Sequence, residues 1–139
     1  MQRGFTLVEL MVVVVVLGVL VAIAIPNFVS SSNRAKEASL KANMHALQFV
    51  AEDFLVKGDS TYAGSAADIA PQLMPDFNNP FDQSVGAGNA WEDRANYSGD
   101  PSAKSGIASY ADSASGHAYN VKGYGSKGVL SLVLTSGRQ

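Results

Sequence analysis

Residues 5–25 read FTLVELMVVVVVLGVLVAIAI, and this stretch decides the fold. Within it, residues 10–25 form a 16-residue run with no polar side chain, interrupted only by Gly18. The full 21 residues carry one charge, Glu9. A membrane-crossing helix needs about 20 mostly apolar residues, so the stretch is long enough to span. Val and Ile are modest helix formers in water, but in lipid the backbone must satisfy its own hydrogen bonds and helix prevails. A buried strand of this length would far exceed the usual ~3–10 residues. A secretory signal peptide fits poorly. The apolar run sits at the upper limit of about 15 residues, the cationic start is Arg3 plus the amino terminus, and Pro26, Asn27 and Phe28 offer no small-x-small cleavage site.

Glu9 is the anomaly. A carboxylate inside an apolar span costs roughly 2.5–3.5 kcal/mol and marks a function by default. The bland alternative is a side chain near the membrane surface that reaches water.

Downstream, Pro26 lacks an amide hydrogen and its ring crowds the preceding turn, which predicts a kink or local melting. Residues 27–57 then read as an amphipathic helix. Leu40, Met44, Leu47, Ala51 and Phe54 follow spacings of 4, 3, 4 and 3, a one-sided apolar stripe. Arg34, Lys36, Glu37, Lys41 and Glu52 fall mostly off it, and Glu37–Lys41 is a favourable i,i+4 pair. His45 reads as a solvated histidine, with no ligand-forming residue four positions away. Gly58 is a natural stop. A single helix over 5–57 would be about 80 Å long.

From Gly58 onward Gly, Ser, Ala, Asp and Asn dominate. Residues 59–106 are expected to be loop-rich, with a helical turn over 66–73 capped by Ser65. A turn cluster runs from Pro75 to Asp82, and Phe81, Trp91 and Tyr97 are the expected anchors. Strands are predicted over 106–110, 118–123 and 129–135, with a turn at 125–128. Three antiparallel strands are stable if a helix covers them, and the Leu40 stripe is that cover. The expected fold class is therefore α+β, a long N-terminal helix packed against a small antiparallel sheet.

Composition excludes several functions. With 12 acidic and 10 basic residues the net charge is −2, which argues against a basic-patch nucleic-acid binder. Absence of cysteine removes disulfide scaffolds, thiolate metal sites and thiol catalysis. There is no Ser-His-Asp pattern, phosphate loop or HExxH, so no enzyme is expected. Glu92–Asp93 and Asp76–Asp82 are paired carboxylates of the kind usually found solvated in turns. His117 reads as a surface residue.

The stretch Arg3-Gly4-Phe5-Thr6-Leu7-Val8-Glu9-Leu10, followed by the apolar helix and Pro26, resembles the type IV prepilin signal. The family comprises type IV pilins and the pseudopilins of type II secretion. The resemblance covers about the first 30 residues, and the remainder is similar only in layout. It implies cleavage after Gly4 by a prepilin peptidase on the cytoplasmic side, with Phe5 as the new, N-methylated terminus. Glu9 would pair with the N-terminal ammonium of a neighbouring subunit, making Phe5 and Glu9 the assembly residues. Two opposite charges in an apolar core attract strongly while either alone is costly, so the pair would set register between subunits.

The implied organisation is a leader over 1–4, a transmembrane and filament-core helix over 5–27, its amphipathic half over 28–57 and a head over 58–139. The implied partners are further copies of the chain, the peptidase, an inner-membrane assembly platform and the bilayer before assembly. Major pseudopilins bind calcium in a head loop, which makes Asp76 and Asp82 the calcium candidates here, although Lys127 in the turn before the last strand disfavours a cation. No other cofactor is expected. The expected function is a major pilin of a surface fibre for adhesion, twitching or DNA uptake, held in the inner membrane before assembly. The alternative is a major pseudopilin of a periplasmic fibre. A membrane-anchored binding module or enzyme with an uncleaved helix is a third reading, separated by the fate of the Gly4–Phe5 bond.

Overall fold

The computed structural model describes residues 4–58, 60–113 and 115–136. Its elements are α1 Leu7–Lys57, α2 Ala66–Ile69, a 3-10 turn Ala70–Gln72, β1 Trp91–Asp93, β2 Ala108–Asp112, β3 Tyr119–Gly123 and β4 Leu134–Thr135. The chain divides into two compact units, Met1–Arg34 and Ala35–Gln139, and α1 contributes residues to both.

The long helix is present, starting at Leu7 rather than at residue 5. Its hydrogen-bonded assignment passes through Pro26 without a break. One position on, the Asn27 side-chain amide donates to the Ile23 carbonyl at 3.2 Å. In the first unit the large apolar side chains from Leu7 to Ile25 are all 46–74% exposed. This part of α1 is long and apolar enough to cross a membrane by length and composition.

In the second unit the stripe read from the sequence is the core. Leu40, Met44, Leu47 and Ala51 are fully buried and join Val50, Ala108, Tyr110, Tyr119 and Val121 in one cluster. The approach is close. A Cβ on Gly123 of β3 would stand 2.8 Å from Met44 Sδ and 3.3 Å from Leu40 Cδ2, so glycine is what lets the strand meet the helix. Three tyrosines close one end of the core. Tyr62 meets Tyr119 edge-on at 4.7 Å, and Tyr110 stacks on Tyr119 at 5.5 Å. Their hydroxyls are satisfied: Tyr119 donates to Glu52 Oε1 at 2.7 Å, Tyr62 to Glu52 Oε2 at 3.2 Å and Tyr110 to the Ala63 carbonyl at 2.7 Å. Burial, and for Tyr119 the Glu52 carboxylate, push the Tyr110 and Tyr119 phenols well above their usual range.

The sheet has the order β1-β2-β3-β4 and is mixed rather than wholly antiparallel. β2–β3 and β3–β4 are antiparallel, with Tyr110 opposite Val121 and Val121 opposite Leu134. β1 is an unforeseen fourth strand, parallel to β2, with Trp91 opposite Ala108. Parallel pairing needs a crossover, which residues 94–107 supply. Three residues show too little alternation to be read as a strand. The predicted last strand over 129–135 is also shorter. Val129 makes only an isolated bridge to Tyr124, and regular pairing resumes at Leu134–Thr135. Between them only the Leu130 amide still donates to the Gly123 carbonyl, at 2.8 Å, and the Leu130 side chain packs on Gly125, where a Cβ would stand 2.8 Å from its Cδ2.

Of the expected anchors of the loop region, Phe81 and Trp91 are half-buried and Tyr97 is not, and further residues join them. Phe77, Asn79 and Pro80 are buried, Trp91 is half-buried against the core, and Tyr97 is exposed. Asn79 is the hub. Its side chain donates to the Asn89 and Ser105 carbonyls at 3.0 and 2.9 Å and accepts from the Phe81 amide at 2.8 Å. Gly106, at φ +90°, passes so close that a Cβ there would collide with Asn79 Oδ1. Phe81 lies under the Lys36 ammonium, 5.4 Å from the ring centroid. The helical turn at 66–73 and its Ser65 cap are as predicted, with Asp68 completing a capping box. The Asp93 carboxylate also accepts from the Ala66 amide.

Candidate processing and assembly site

The first unit places Gly4, Phe5, Thr6 and Glu9 at the start of α1. Thr6 precedes the first helical residue, Leu7. Glu9 Oε2 accepts from the Thr6 amide at 2.9 Å and from Thr6 Oγ1 at 2.8 Å, while the Glu9 amide donates to Thr6 Oγ1 at 3.2 Å. This is a reciprocal capping box, in which a Thr and a Glu three residues on satisfy each other's backbone donors. The pattern Thr6-Leu7-Val8-Glu9, with a Glu three residues after a Thr, is its signal in the sequence.

The cap has two chemical consequences. It fixes where the helix starts, and so leaves Gly4 and Phe5 outside it, exposed and without helical hydrogen bonds. A space of 4 Å around the absent Cβ of Gly4 is empty. A peptide bond in that setting is open to a protease, whereas one inside a helix is not. The cap also gives the Glu9 carboxylate two donors from its own chain, which offsets part of the cost of holding it in an apolar segment.

The other candidate groups are dispersed. Asp82 lies in the second unit, accepting from the Ser84 amide and hydroxyl at 2.9 and 2.5 Å, with Lys104 Nζ at 3.6 Å. The Ser84 contacts, then Lys104, lower its carboxyl below the usual value. Asp76 is exposed beyond buried Phe77. Among the described residues no three His, Asp or Glu gather as a metal site, and an ammonium already faces Asp82, so this pair does not fit a calcium ion. Oxygens of the 98–100 turn are likewise held by side-chain cations. Lys122 Nζ donates to the Ser98 and Gly99 carbonyls at 3.2 and 2.8 Å, and Arg94 Nη1 to Gly99 at 2.6 Å. Glu37 does not close on Lys41. It accepts from the Ser126 amide and hydroxyl at 3.0 and 2.5 Å, which lowers its carboxyl. His45 and His117 are exposed.

The fold and this N-terminal site define a protein with a prepilin-type start. Residues 1–25 match the family model described as the prokaryotic N-terminal methylation motif. The relatives are type IV pilins and type II secretion core proteins. The chain is 40% identical to the type IV major pilin protein PilA of Myxococcus xanthus over 86 residues, 62% of this chain and 38% of that protein. It is 46% identical to the type IV narrow pilus major component PilA5 of Thermus thermophilus over 46 residues, 33% of this chain and 40% of that protein. It is 43% identical to the type II secretion system core protein G of Klebsiella pneumoniae over 47 residues, 34% of each. The matched region thus spans 34–40% of these relatives' own length. No solved structure matches the chain.

Proposed function

We propose that the chain is the major subunit of a type IV pilus-like filament, a structural rather than a catalytic role. A prepilin peptidase cleaves between Gly4 and Phe5, Phe5 is N-methylated, and α1 is handed from the inner membrane to the fibre by an assembly platform. The observation that carries this reading is the exposure of the whole Leu7–Ile25 surface behind a capped Glu9. A surface that is apolar on all sides must be covered by lipid or by other copies, and a fibre core supplies the second cover once the first is left. In that core Glu9 pairs with the Phe5 ammonium of a neighbour. The head, as proposed, works without a cofactor.

The second reading, a major pseudopilin of type II secretion, uses the same N-terminal chemistry. One observation separates them. The match to the Myxococcus pilin runs over 86 residues, more than the 51 of α1, so it includes head residues; the match to core protein G runs over 47. That favours the pilin. Mass spectrometry of sheared surface material tests it. Abundant chain beginning at N-methyl-Phe5 is the expected result. The same cleaved chain confined to the envelope would move the assignment to a pseudopilin, and an intact Met1 would end the filament reading.

A further inference from the structure

The first unit can lie in a bilayer in two registers, and they treat Glu9 differently. The hydrocarbon layer is about 30 Å thick, which takes about 20 helical residues at ~1.5 Å each. One register uses residues 5–25. It puts Glu9 inside the layer and leaves Phe28 and Val29, which are 75% and 51% exposed, beyond it. The other register uses residues 10–29. That window holds 20 residues and no charge, and its one polar side chain is Asn27. The Asn27 side-chain amide already donates to the Ile23 carbonyl at 3.2 Å. Helix α1 passes through Pro26 unbroken, so the span is free to continue beyond it. The chain changes character at Ser30-Ser31-Ser32-Asn33-Arg34, a polar run that ends on a cation.

We propose that before assembly the chain sits in the bilayer on residues 10–29, with the polar run 30–34 as an outer stop that sets the depth of the Gly4–Phe5 bond. The inference rests on the filament reading and deepens it by naming the lipid register from which the chain is processed. A carboxylate inside the layer is costly, whereas Phe28 and Val29 gain by entering it. Both effects favour the window 10–29. Asn27 costs less there than a free amide would, because it is bonded within its own helix. In this register residues 4–9 lie in the inner headgroup layer, which is roughly 5–7 Å thick. Thr6 and Glu9 cap each other there, within reach of water. The Gly4–Phe5 bond stands at the edge of that layer, ahead of the helix start at Leu7, where a peptidase on the cytoplasmic side meets it. The run 30–34, and Arg34 above all, resists being drawn into lipid. The helix between is a rod of fixed length, so a stop on one side of the membrane positions a bond on the other. Glu9 then enters an apolar surrounding only as the fibre takes the chain up, when a neighbour's ammonium is at hand.

The chain has no cysteine, so single introduced thiols report cleanly. The uncleaved full-length chain, carrying one nitroxide-labelled cysteine at a time from Met11→Cys to Ser32→Cys, is reconstituted in vesicles of phosphatidylethanolamine and phosphatidylglycerol. Accessibility to oxygen, which gathers in lipid, is compared with accessibility to a water-soluble nickel chelate. The ratio should peak at residues 19–20, the middle of the window 10–29, with Phe28→Cys inside the layer and Ser30→Cys at water. A peak at residue 15, with Phe28→Cys in water, overturns the proposal. Cells that process the wild-type chain supply the second measurement. Deleting residues 12–15 shortens the window by about 6 Å. Cleavage of Gly4–Phe5 should then fall about tenfold, because the bond is displaced from the peptidase. Adding Ser30→Leu, Ser31→Leu and Ser32→Leu to the deletion moves the stop outward and should bring cleavage back to within about twofold of wild type, because the span again matches the layer. Cleavage that ignores the deletion, or that the leucines do not rescue, also overturns the stop. A wild-type chain that is never cleaved would instead overturn the filament reading, while the nitroxide profile still decides the register.

Discussion

Glu9 has two acceptor tasks that can be separated chemically. It caps Thr6 within its own chain, and in the proposed fibre it faces a neighbour's ammonium. The Glu9→Gln variant keeps an oxygen for the Thr6 amide but removes the charge. It should therefore leave the helix start protected from hydrogen exchange, as in the wild type, while assembling as poorly as Glu9→Ala. A fibre yield like the wild type's from Glu9→Gln would show that the cap alone is what Glu9 supplies. In the head, Glu52 accepts from two tyrosines at once. Removing it leaves the hydroxyl of fully buried Tyr119 without its acceptor, so Glu52→Ala should cost about 1–3 kcal/mol in urea unfolding, with Glu52→Gln costing less. The raised phenols of Tyr110 and Tyr119 have a pH signature of their own. They stay neutral when folded but ionise in the unfolded chain near 10.0. Their contribution to stability is therefore complete below that value and is lost as the pH climbs beyond it. A thermal midpoint that stayed flat across this alkaline range would contradict their burial.

At the scale of elements, α1 shows what periodicity reveals and what it hides. The 4-3-4-3 spacing of Leu40, Met44, Leu47, Ala51 and Phe54 identified the face that meets the sheet. At the N-terminus the Gly4–Phe5 bond proposed for cleavage and Glu9 were legible as a motif, whereas the helix start depends on hydrogen bonds between Thr6 and Glu9. Ser65–Asp68 was legible because capping is local. β1 was not, because its three residues become a strand only through pairing with β2, fifteen residues and more away. Likewise Leu130 alternates correctly for a strand, yet outside the regular strands it keeps one backbone bond, to Gly123, with its side chain in a space that Gly125 opens. The tightest joint between elements is Gly123 against Met44. Gly123→Ala should destabilise the head by about 1–3 kcal/mol through overpacking, read as a lowered thermal midpoint. An unchanged midpoint would mean that Met44 yields without cost.

For the molecule as a whole, the distribution of charge bears on whether the head needs an ion. Among the described residues, two groups of oxygens that could serve a divalent cation are held by the chain's own cations: Lys104 beside Asp82, and Lys122 and Arg94 at the 98–100 turn. Lys122 and Arg94 pin the 98–100 turn to the sheet, and Lys104 ties residues 82–89 to its own loop, as a metal would but without dependence on its concentration. A calcium ion arriving at either place would have to displace a fixed positive charge and then bind beside it. A specific site at a hundredfold excess of ion over its dissociation constant would add about 2.7 kcal/mol, on the order of 10 °C in midpoint for a domain of this size. Millimolar calcium, compared with a chelator at equal ionic strength, should therefore leave the head's midpoint where it was. Lys122→Met, in contrast, should lower the midpoint by releasing the Ser98 and Gly99 carbonyls. A rise of many degrees on adding calcium to the wild-type chain would mean that the lysines move aside, and it would shift the assignment from surface pilin towards the secretion pseudopilin.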